Sequence, residues 1–417
     1  MGCLLTAIVR VPATVMTFFS DLDVPLTEVQ RLHLAEYGTG LAVSENVTIT
    51  GINELIMGGV DQSNMNRTLT QATWDPEDLN RARLGLLQRH PETMWGKRGF
   101  IVIDDTFIEK DGKLMPGAAY LYNHAEDRTE WGQQLVTMYY VGPKVDYPLD
   151  FRQYFKEDGP EVRSGQVEFK KKHELAAEMI HAVRAAGCLA KTVLIDSWYL
   201  NKEFAGELEK EELDWISRLK SDRLVMINGV YVPVSEHAKT IDPKDVRPVK
   251  VGDKTYWAYE FKTRLKGIGK VKAVISWKEA DLSDEPKYFA TNYRMWSARE
   301  VLVRYTERWA IEEFHREAKQ HLGLDECQMR SAIGTRRHWY MVLLMHSLLT
   351  LWGAKHRRRV GSGKDGGLTL GDCQRALKDE VFRDLLGFIV EGALGDGKQM
   401  SRDKQKVVME LLEALKG

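Results

Sequence analysis

Two acids in this sequence each follow a segment of the same kind. Phe100-Ile101-Val102-Ile103 is a short, β-branched apolar run with no polar alternation, as in a strand buried on both faces, and it stops at Asp104-Asp105-Thr106. Thr192-Val193-Leu194-Ile195 is a second such run and delivers Asp196. Open α/β sheets place ligand sites at the carboxyl ends of their strands. A carboxylate there is a hard oxygen ligand, and Mg2+ is usually held by one or two carboxylates plus substrate phosphate oxygens. Two such ions about 4 Å apart activate the attacking oxygen and steady the leaving one in phosphoryl transfer. An Asp after an apolar strand is also common turn chemistry, so the pair alone defines no site.

A third acid stands on a segment that reads as one helix, Ser297–Leu322. At about 100° per residue, Arg308, Trp309, Glu312, Arg316 and Lys319 fall within roughly 60° of Tyr305. Val303, Ala310, Ile311, Phe314 and Ala318 take the opposite side, an ordinary core-facing stripe. Solvent-exposed faces with Glu–Lys pairs are the common fate of such polar fronts. This front also carries Tyr305 and Trp309, which are costly to leave in water and suit stacking on an exposed base. A lone Glu among cations also suits a metal ligand beside bound phosphate.

Tyr305-x2-Arg308-x3-Glu312-x6-Lys319, inside YTERWAIEEFHREAK, resembles the Y-R-E-K signature of DDE transposases from bacterial cut-and-paste insertion sequences. The other landmarks fall in the same order: IVIDDT, then VLIDSWY, then a β-rich stretch before the Glu. Asp105 and Asp196 are 91 residues apart, and Asp196 and Glu312 are 116 apart. SNMNRTLTQATWD (63–75) resembles the N-terminal region of one branch of these enzymes, so the resemblance covers about residues 60–350.

The resemblance implies an α/β fold: a ribonuclease-H-like mixed sheet with flanking helices, interrupted by a β-rich insertion domain, with helical N- and C-terminal regions. It implies that Asp105, Asp196 and Glu312 are catalytic and hold two Mg2+ ions, with Mn2+ as a substitute. It further implies that water would cut one strand at each transposon end and that the freed 3′-hydroxyl would attack target DNA. Arg308 and Lys319 are implied to contact phosphates, with Tyr305 in support, while Trp309 and Arg316 occupy positions used near a distorted or flipped base. The first acid is taken as Asp105, with Asp104 as the alternative, because the family's Asp precedes Thr or a similar residue and Asp104 finishes the strand. The implied partners are double-stranded DNA (terminal inverted repeats and target) and a second copy of the chain in a synaptic complex. The implied setting is a bacterial or archaeal cytoplasm, at the nucleoid. A structure-selective nuclease and a catalytically inactive DNA-binding protein on the same fold are the alternatives.

The elements that must position these residues divide the chain into five stretches. Residues 1–95 read as a helical DNA-binding region, with helix starts at Pro25-Leu26-Thr27-Glu28, Ser44-Glu45-Asn46 and Asp75-Pro76-Glu77-Asp78. Residues 96–215 read as the first part of the core, with further strands at Gln134–Val141 and Pro148–Tyr154 and a helix at Lys172–Ala186. Residues 216–292 read as the β insertion, with strands at Val225–Ile227, Val230–Val234, Thr255–Thr263, Lys270–Trp277 and Lys287–Thr291 and a turn at Gly267-Ile268-Gly269. Residues 293–355 complete the core and 356–417 form a helical end, after a Gly-rich loop at 360–368.

Composition bounds rather than decides. At 417 residues, 43% hydrophobic and 29% charged, the chain is an ordinary globular mixture too long for one small core. A net charge of −1 hides uneven spread: 250–278 holds eight Lys/Arg against two acids, 330–359 holds seven and no acid, and 203–214 holds six acids and one Lys. Such basic stretches are what phosphate binding needs, although charge runs are as often plain solvated surface. The four cysteines are scattered without a CxxC pair, which suggests neither a disulfide framework nor a zinc site and fits a reducing cytosol. No basic segment followed by a long apolar stretch opens the chain, and the Gly2-Cys3 start matches only a permissive myristoylation pattern. The apolar run Trp339–Trp352 is short of a membrane span and is interrupted by His346, so it reads as a buried helix. His124, His173 and His315 are isolated and read as ordinary groups, Trp198 as a packing residue, and Lys170-Lys171-Lys172 as a solvated helix start.

Overall fold

The structure, a computed structural model, describes residues 7–57, 61–123, 126–356 and 368–394. The Gly2-Cys3 start, His124 and most of the Gly-rich loop lie outside the described residues, as does the end of the chain beyond 394.

Helices come first: α1 (Ala13–Ser20), α2 (Glu28–Val43), α3 (Ile49–Leu55), α4 (Gln62–Thr70) and α5 (Pro76–Gln88). Thr27 caps α2 through a box with Gln30, and Asp75 caps α5 by accepting from the Glu77 amide, as the sequence suggests. Ser44 instead ends α2, and the cap of α3 is Thr48, so the expected start at 44–46 is displaced. The first sheet strands follow: β1 (Phe100–Glu109), β2 (Ala119–Asn123), β3 (Arg128–Val141) and β4 (Asp146–Tyr154). Helices α6 (Pro160–Arg163) and α7 (Lys172–Ala185) lead to β5 (Thr192–Ile195), then α8 (Lys202–Lys210) and β6 (Asp214–Leu219). Next come β7 (Leu224–Ile227), β8 (Val230–Pro233), α9 (Val234–Ala238), β9 (Arg247–Val251), β10 (Lys254–Leu265), β11 (Gly269–Trp277) and β12 (Lys287–Thr291). The chain closes with α10 (Ala298–Thr306), α11 (Trp309–Leu322), α12 (Ala332–His356) and α13 (Leu370–Leu394).

Among the described residues all twelve strands belong to one mixed sheet. Its centre is β4-β3-β1-β5-β6, antiparallel through β1 and parallel across β1, β5 and β6, the order of a ribonuclease-H-like core. The β-rich stretch continues the same sheet: β12 pairs with β6, and β11, β10, β7 and β8 extend outward. A boundary at residue 216 therefore falls inside β6, a central strand. Strands β2, β6 and β9 escape the sequence reading, each being short or strongly polar on one side.

The N-terminal helices share one hydrophobic core with the sheet and α12. Two buried arginines fasten them. Arg83 on α5 donates to the Pro148 and Leu149 carbonyls of β4 and to Ser347 of α12. Arg337 of α12 donates to the Leu69 and Ala72 carbonyls and lies 4.3 Å over the Trp74 ring. A basic residue from the 330–359 stretch is thus committed to buried carbonyls, while Arg336 pairs with Glu77. Helix α12 is buried on most sides, and no helix among the described residues is long and apolar enough to cross a membrane. Helix α11 ends at Gly323, whose left-handed φ of 63° closes the last turn. A Cβ at Gly323 would stand 2.2 Å from Val47, so this turn also needs the bare backbone against the loop before α3.

Candidate active site

Strand β1 does not stop at its two acids. It runs on to Glu109, and Thr106-Phe107-Ile108 pair with Leu135, Gln134 and Gln133 of β3. Asp104 and Asp105 are therefore mid-strand, and successive side chains of a strand point to opposite faces. Asp104 lies opposite Thr137 in the antiparallel register, and the Thr137 hydroxyl is 2.7 Å from His315 Nε2 on α11. Asp104 thus shares its face with α11. The Asp105 carboxylate turns to the other face, where it accepts from Lys172 Nζ at 2.8 Å, Tyr199 Oη at 3.2 Å and the Gln134 side-chain amide. Lys172 is buried at the start of α7 with its charge committed to Asp105, not solvated as the sequence suggests.

Asp196 follows Ile195, which pairs with Ile103 in the parallel β1–β5 register, so Asp196 falls beside Asp104. Its Oδ1 accepts from the Trp198 amide, which sets the carboxylate at the head of the turn after β5. The expected single helix at 297–322 is two: Glu307 and Arg308 separate α10 from α11. Tyr305, at the end of α10, donates to the Ile195 carbonyl at 3.3 Å and so ties this break to the end of β5. Arg308 caps the break. Its Nη1 meets Asp104 Oδ2 at 2.5 Å and its Nη2 meets Glu312 Oε1, so one guanidinium joins the strand acid to the helix acid.

Burial pushes the Asp104 carboxyl up to about 7; Arg308 opposes this, and the charges of Asp105 and Asp196 add to it. Burial works against the Arg308 charge as well, yet Asp104 holds its pKa above the ordinary arginine value. His315 is driven down to about 3 by burial, with Lys319 and Arg308 adding to the effect, so it packs as a neutral imidazole. Lys319 is also half-buried and donates to the Phe107 carbonyl of β1 at 2.8 Å. Trp309 is 57% exposed, and Arg316 is exposed with a loose contact of 4.0 Å to Glu313. Trp198, expected to pack, is 46% exposed.

The structure brings Asp104, Asp196, Tyr305, Arg308, Glu312 and Lys319 to one edge of the central sheet; it sets Asp105 behind that edge and Trp309 and Arg316 on the open side of α11. Among the described residues no three carboxylate, histidine or cysteine side chains stand close enough to hold a metal ion as they are. In donor type, Asp104, Asp196 and Glu312 fit a hard divalent cation. In position, the Arg308 guanidinium stands where positive charge is needed between two of them. The signal that could have separated Asp104 from Asp105 is the β-branched and aromatic run Thr106-Phe107-Ile108, which carries the strand past the acids.

Carboxylates from two adjacent strands and a crossing helix thus gather at one edge of a mixed α/β sheet of this order. The model of the DDE superfamily endonuclease family matches residues 30–257, and that of the Transposase DDE domain matches residues 170–348. The chain belongs to the DDE superfamily endonuclease family, DNA-cleaving enzymes that depend on a divalent metal. It is similar to a probable transposase for insertion sequence element IS701 from Microchaete diplosiphon, with 26% identity over 218 residues, 48% of this chain and 55% of that protein. The chain thus spans about half the length of the curated relative it matches. Among solved structures, the NurA nuclease from Sulfolobus solfataricus aligns over 66% of this chain and 92% of its own, at 9% identity and a TM-score of 0.26.

Proposed function

We propose that the chain is a transposase that cuts DNA at transposon ends and joins the freed 3′-hydroxyl to target DNA, with Asp104, Asp196 and Glu312 as its metal-holding acids. The observation that carries this reading is the shared Arg308: one guanidinium couples Asp104 to Glu312 while Asp196 sits in register beside Asp104. Asp104 takes the place first given to Asp105, whose carboxylate is engaged by Lys172, Gln134 and Tyr199. The name of the relative, a probable transposase, supports the same activity.

Each residue then has a defined role. The two strands fix Asp104 and Asp196, and α11 carries Glu312 across to them. Asp104, Asp196 and Glu312 would hold two Mg2+ ions, or Mn2+ in their place, which would supply Lewis acidity toward the scissile phosphate. Arg308, between Asp104 and Glu312, would offer its planar fork to the phosphate, a geometry suited to bidentate oxygen contacts. Tyr305 keeps the α10–α11 break against β5. Lys319 anchors α11 to β1. Trp309 and Arg316, exposed beside Glu312, face the DNA, the tryptophan as a stacking surface for a displaced base.

The substrate in this reading is double-stranded DNA bearing terminal inverted repeats, held by two copies of the chain in one synaptic complex in a bacterial or archaeal cytoplasm. Residues 1–95 serve end binding, and 216–292 form an extension of the catalytic sheet. The test is direct: purified protein, Mg2+, labelled transposon-end DNA and a plasmid target. Joined products are expected. Cuts without joining would make the protein a nuclease, and a shifted band without cuts would make it a binding protein.

A further inference from the structure

Immediately beyond Asp196 the surface opens into a cleft of about 460 Å3. Ser197, Trp198 and Asn201 form one wall, and the β6–β7 turn with Lys266 of the β10–β11 turn forms the other. Arg218, Lys220, Arg223 and Lys266 line it against a single acid, Asp222. Among the described residues none of these four cations is in an ion pair, whereas Lys210, Lys239 and Lys244 each have an acid partner. Arg223 makes one long bond, to the Leu200 carbonyl at 3.4 Å, and its Nε has no partner. Trp198 presents nearly half its surface, and Lys172 Nζ lies 5.0 Å from the ring centroid. Its backbone amide is hydrogen-bonded to Asp196, so the cleft wall begins at the turn that carries that carboxylate.

A cleft of this volume falls in the range of small-ligand pockets and is too narrow for a duplex. Cations track a phosphate backbone, and an exposed aromatic offers a stacking face to any base. We infer that the cleft takes an unpaired DNA strand running away from the carboxylates, with Trp198 stacking on a base and Arg218, Lys220, Arg223 and Lys266 on its phosphates. This rests on the reading that Asp196 belongs to a DNA-cutting site. It adds strand separation to that site, since the DNA is held open beside the cut with one strand drawn under the outer part of the sheet.

The experiment compares the full chain's affinity for a blunt duplex and for the same duplex with an overhang of about six nucleotides, by fluorescence anisotropy in EDTA, so that binding is read without cleavage. The wild type is expected to favour the overhang. Trp198→Ala should lose about tenfold on the overhang and little on the blunt duplex, while Trp198→Phe should keep most of the preference. Lys220→Ala/Lys266→Ala should lower the salt slope for the overhang by about 1.4, and Lys239→Ala/Lys244→Ala, which removes equal charge elsewhere, should leave it unchanged. Equal loss on both DNAs, or wild-type behaviour of Trp198→Ala in a protein with unchanged thermal melting, overturns the strand cleft. Cleavage in Mg2+ is measured separately. Its absence alongside an intact overhang preference would overturn the transposase reading and leave the cleft standing.

Discussion

Asp104 and Asp105 are adjacent in the chain, yet their carboxylates occupy opposite faces of one sheet and serve opposite ends. Asp104 meets Arg308 at 2.5 Å on the α11 side, whereas Asp105 meets Lys172 at 2.8 Å on the α7 side. The separation follows from the period of two in a strand that continues through both acids. One acid of the doublet faces α11 and is the one proposed to hold a metal; the other sits in a hydrogen-bonded ion pair that fastens α7 to the sheet.

The two positions should therefore fail in different ways. Asp104→Asn is expected to abolish cleavage at a smaller cost in stability, since the amide fills the same space and Arg308 keeps Glu312 as a partner. Asp105→Ala leaves the Lys172 ammonium buried without its counter-charge and should cost about 3 kcal/mol, the scale for breaking a buried pair. Urea unfolding and cleavage per folded molecule separate the two effects. If Asp105→Asn folds normally and is dead in cleavage while Asp104→Asn still cuts, the assignment is reversed.

Removing Arg308 should make the acids more receptive to cations. The wild-type guanidinium pairs with Asp104 and Glu312, so in the proposed site a divalent ion would compete with it for both acids. In Arg308→Ala the ion meets uncompensated carboxylates, and a tenfold gain in affinity corresponds to about 1.4 kcal/mol. The variant is expected to melt lower than wild type without metal and to gain more from Mg2+ in a thermal-shift titration. DNA cleavage should still fall, because the phosphate loses its fork. Equal Mg2+ shifts in both proteins would remove Arg308 from the cation site.

How much of this was legible in the sequence depends on how local the cause was. Strand β5 ends where its apolar run ends, and Thr27 and Asp75 cap helices because capping is decided within four residues. Strand β1 reads four residues long because a pair of acids looks like a stop. The run Thr106-Phe107-Ile108 carries the strand on, and the acids within it are satisfied by Lys172, Gln134 and Arg308, partners from distant segments that no local pattern announces. The break at Glu307–Arg308 has no Gly or Pro to mark it, and the tie between Tyr305 and Ile195 beside it is again tertiary. Trp198 reads as a core residue by type alone; its exposure is set by where the β6–β7 turn leaves a gap.

Glu36 supplies a pH test of the N-terminal region. Burial pushes its carboxyl up to about 7, and Oε2 has no hydrogen-bond partner. The unfolded carboxyl titrates at its ordinary value of 4.5. Between 4.5 and about 7 the folded chain therefore binds the extra proton, so this group's contribution is complete below the window and declines as pH rises through it. Glu36→Gln should match wild type near pH 5 and exceed it by on the order of 2 kcal/mol near pH 8, read from urea midpoints. A constant difference at both pH values would mean that Glu36 is ionised in the fold or carries no burial cost.

Gly323 should tolerate no side chain. Its φ of 63° strains any L-residue, and the added Cβ of Gly323→Ala would press on Val47, which is itself packed in the core. Left-handed strain of about 1 kcal/mol and overpacking of about 1–3 kcal/mol act together. A loss of roughly 2–4 kcal/mol in unfolding free energy is expected. Cleavage by the remaining folded protein should fall only modestly, because Glu312 lies about three turns away. An unchanged stability would show that the loop before α3 yields freely.

Lys319 is the residue on which the resemblance and the geometry differ, and a salt titration decides between them. A phosphate ligand would contribute about 0.9 to the slope of log affinity against log salt for duplex DNA, and Lys319→Ala would remove that increment. In the structure the ammonium donates to the Phe107 carbonyl, its burial lowers its pKa, and it joins α11 to the end of β1. A residue used this way positions Glu312 relative to Asp104 and touches no DNA. Lys319→Ala should then leave the salt slope for end binding unchanged and lower the cleavage rate in bound complexes. Lys319→Arg should restore part of that rate by donating to the same carbonyl. A slope that falls by nearly one unit, with the cleavage rate of bound DNA intact, would return Lys319 to the phosphates.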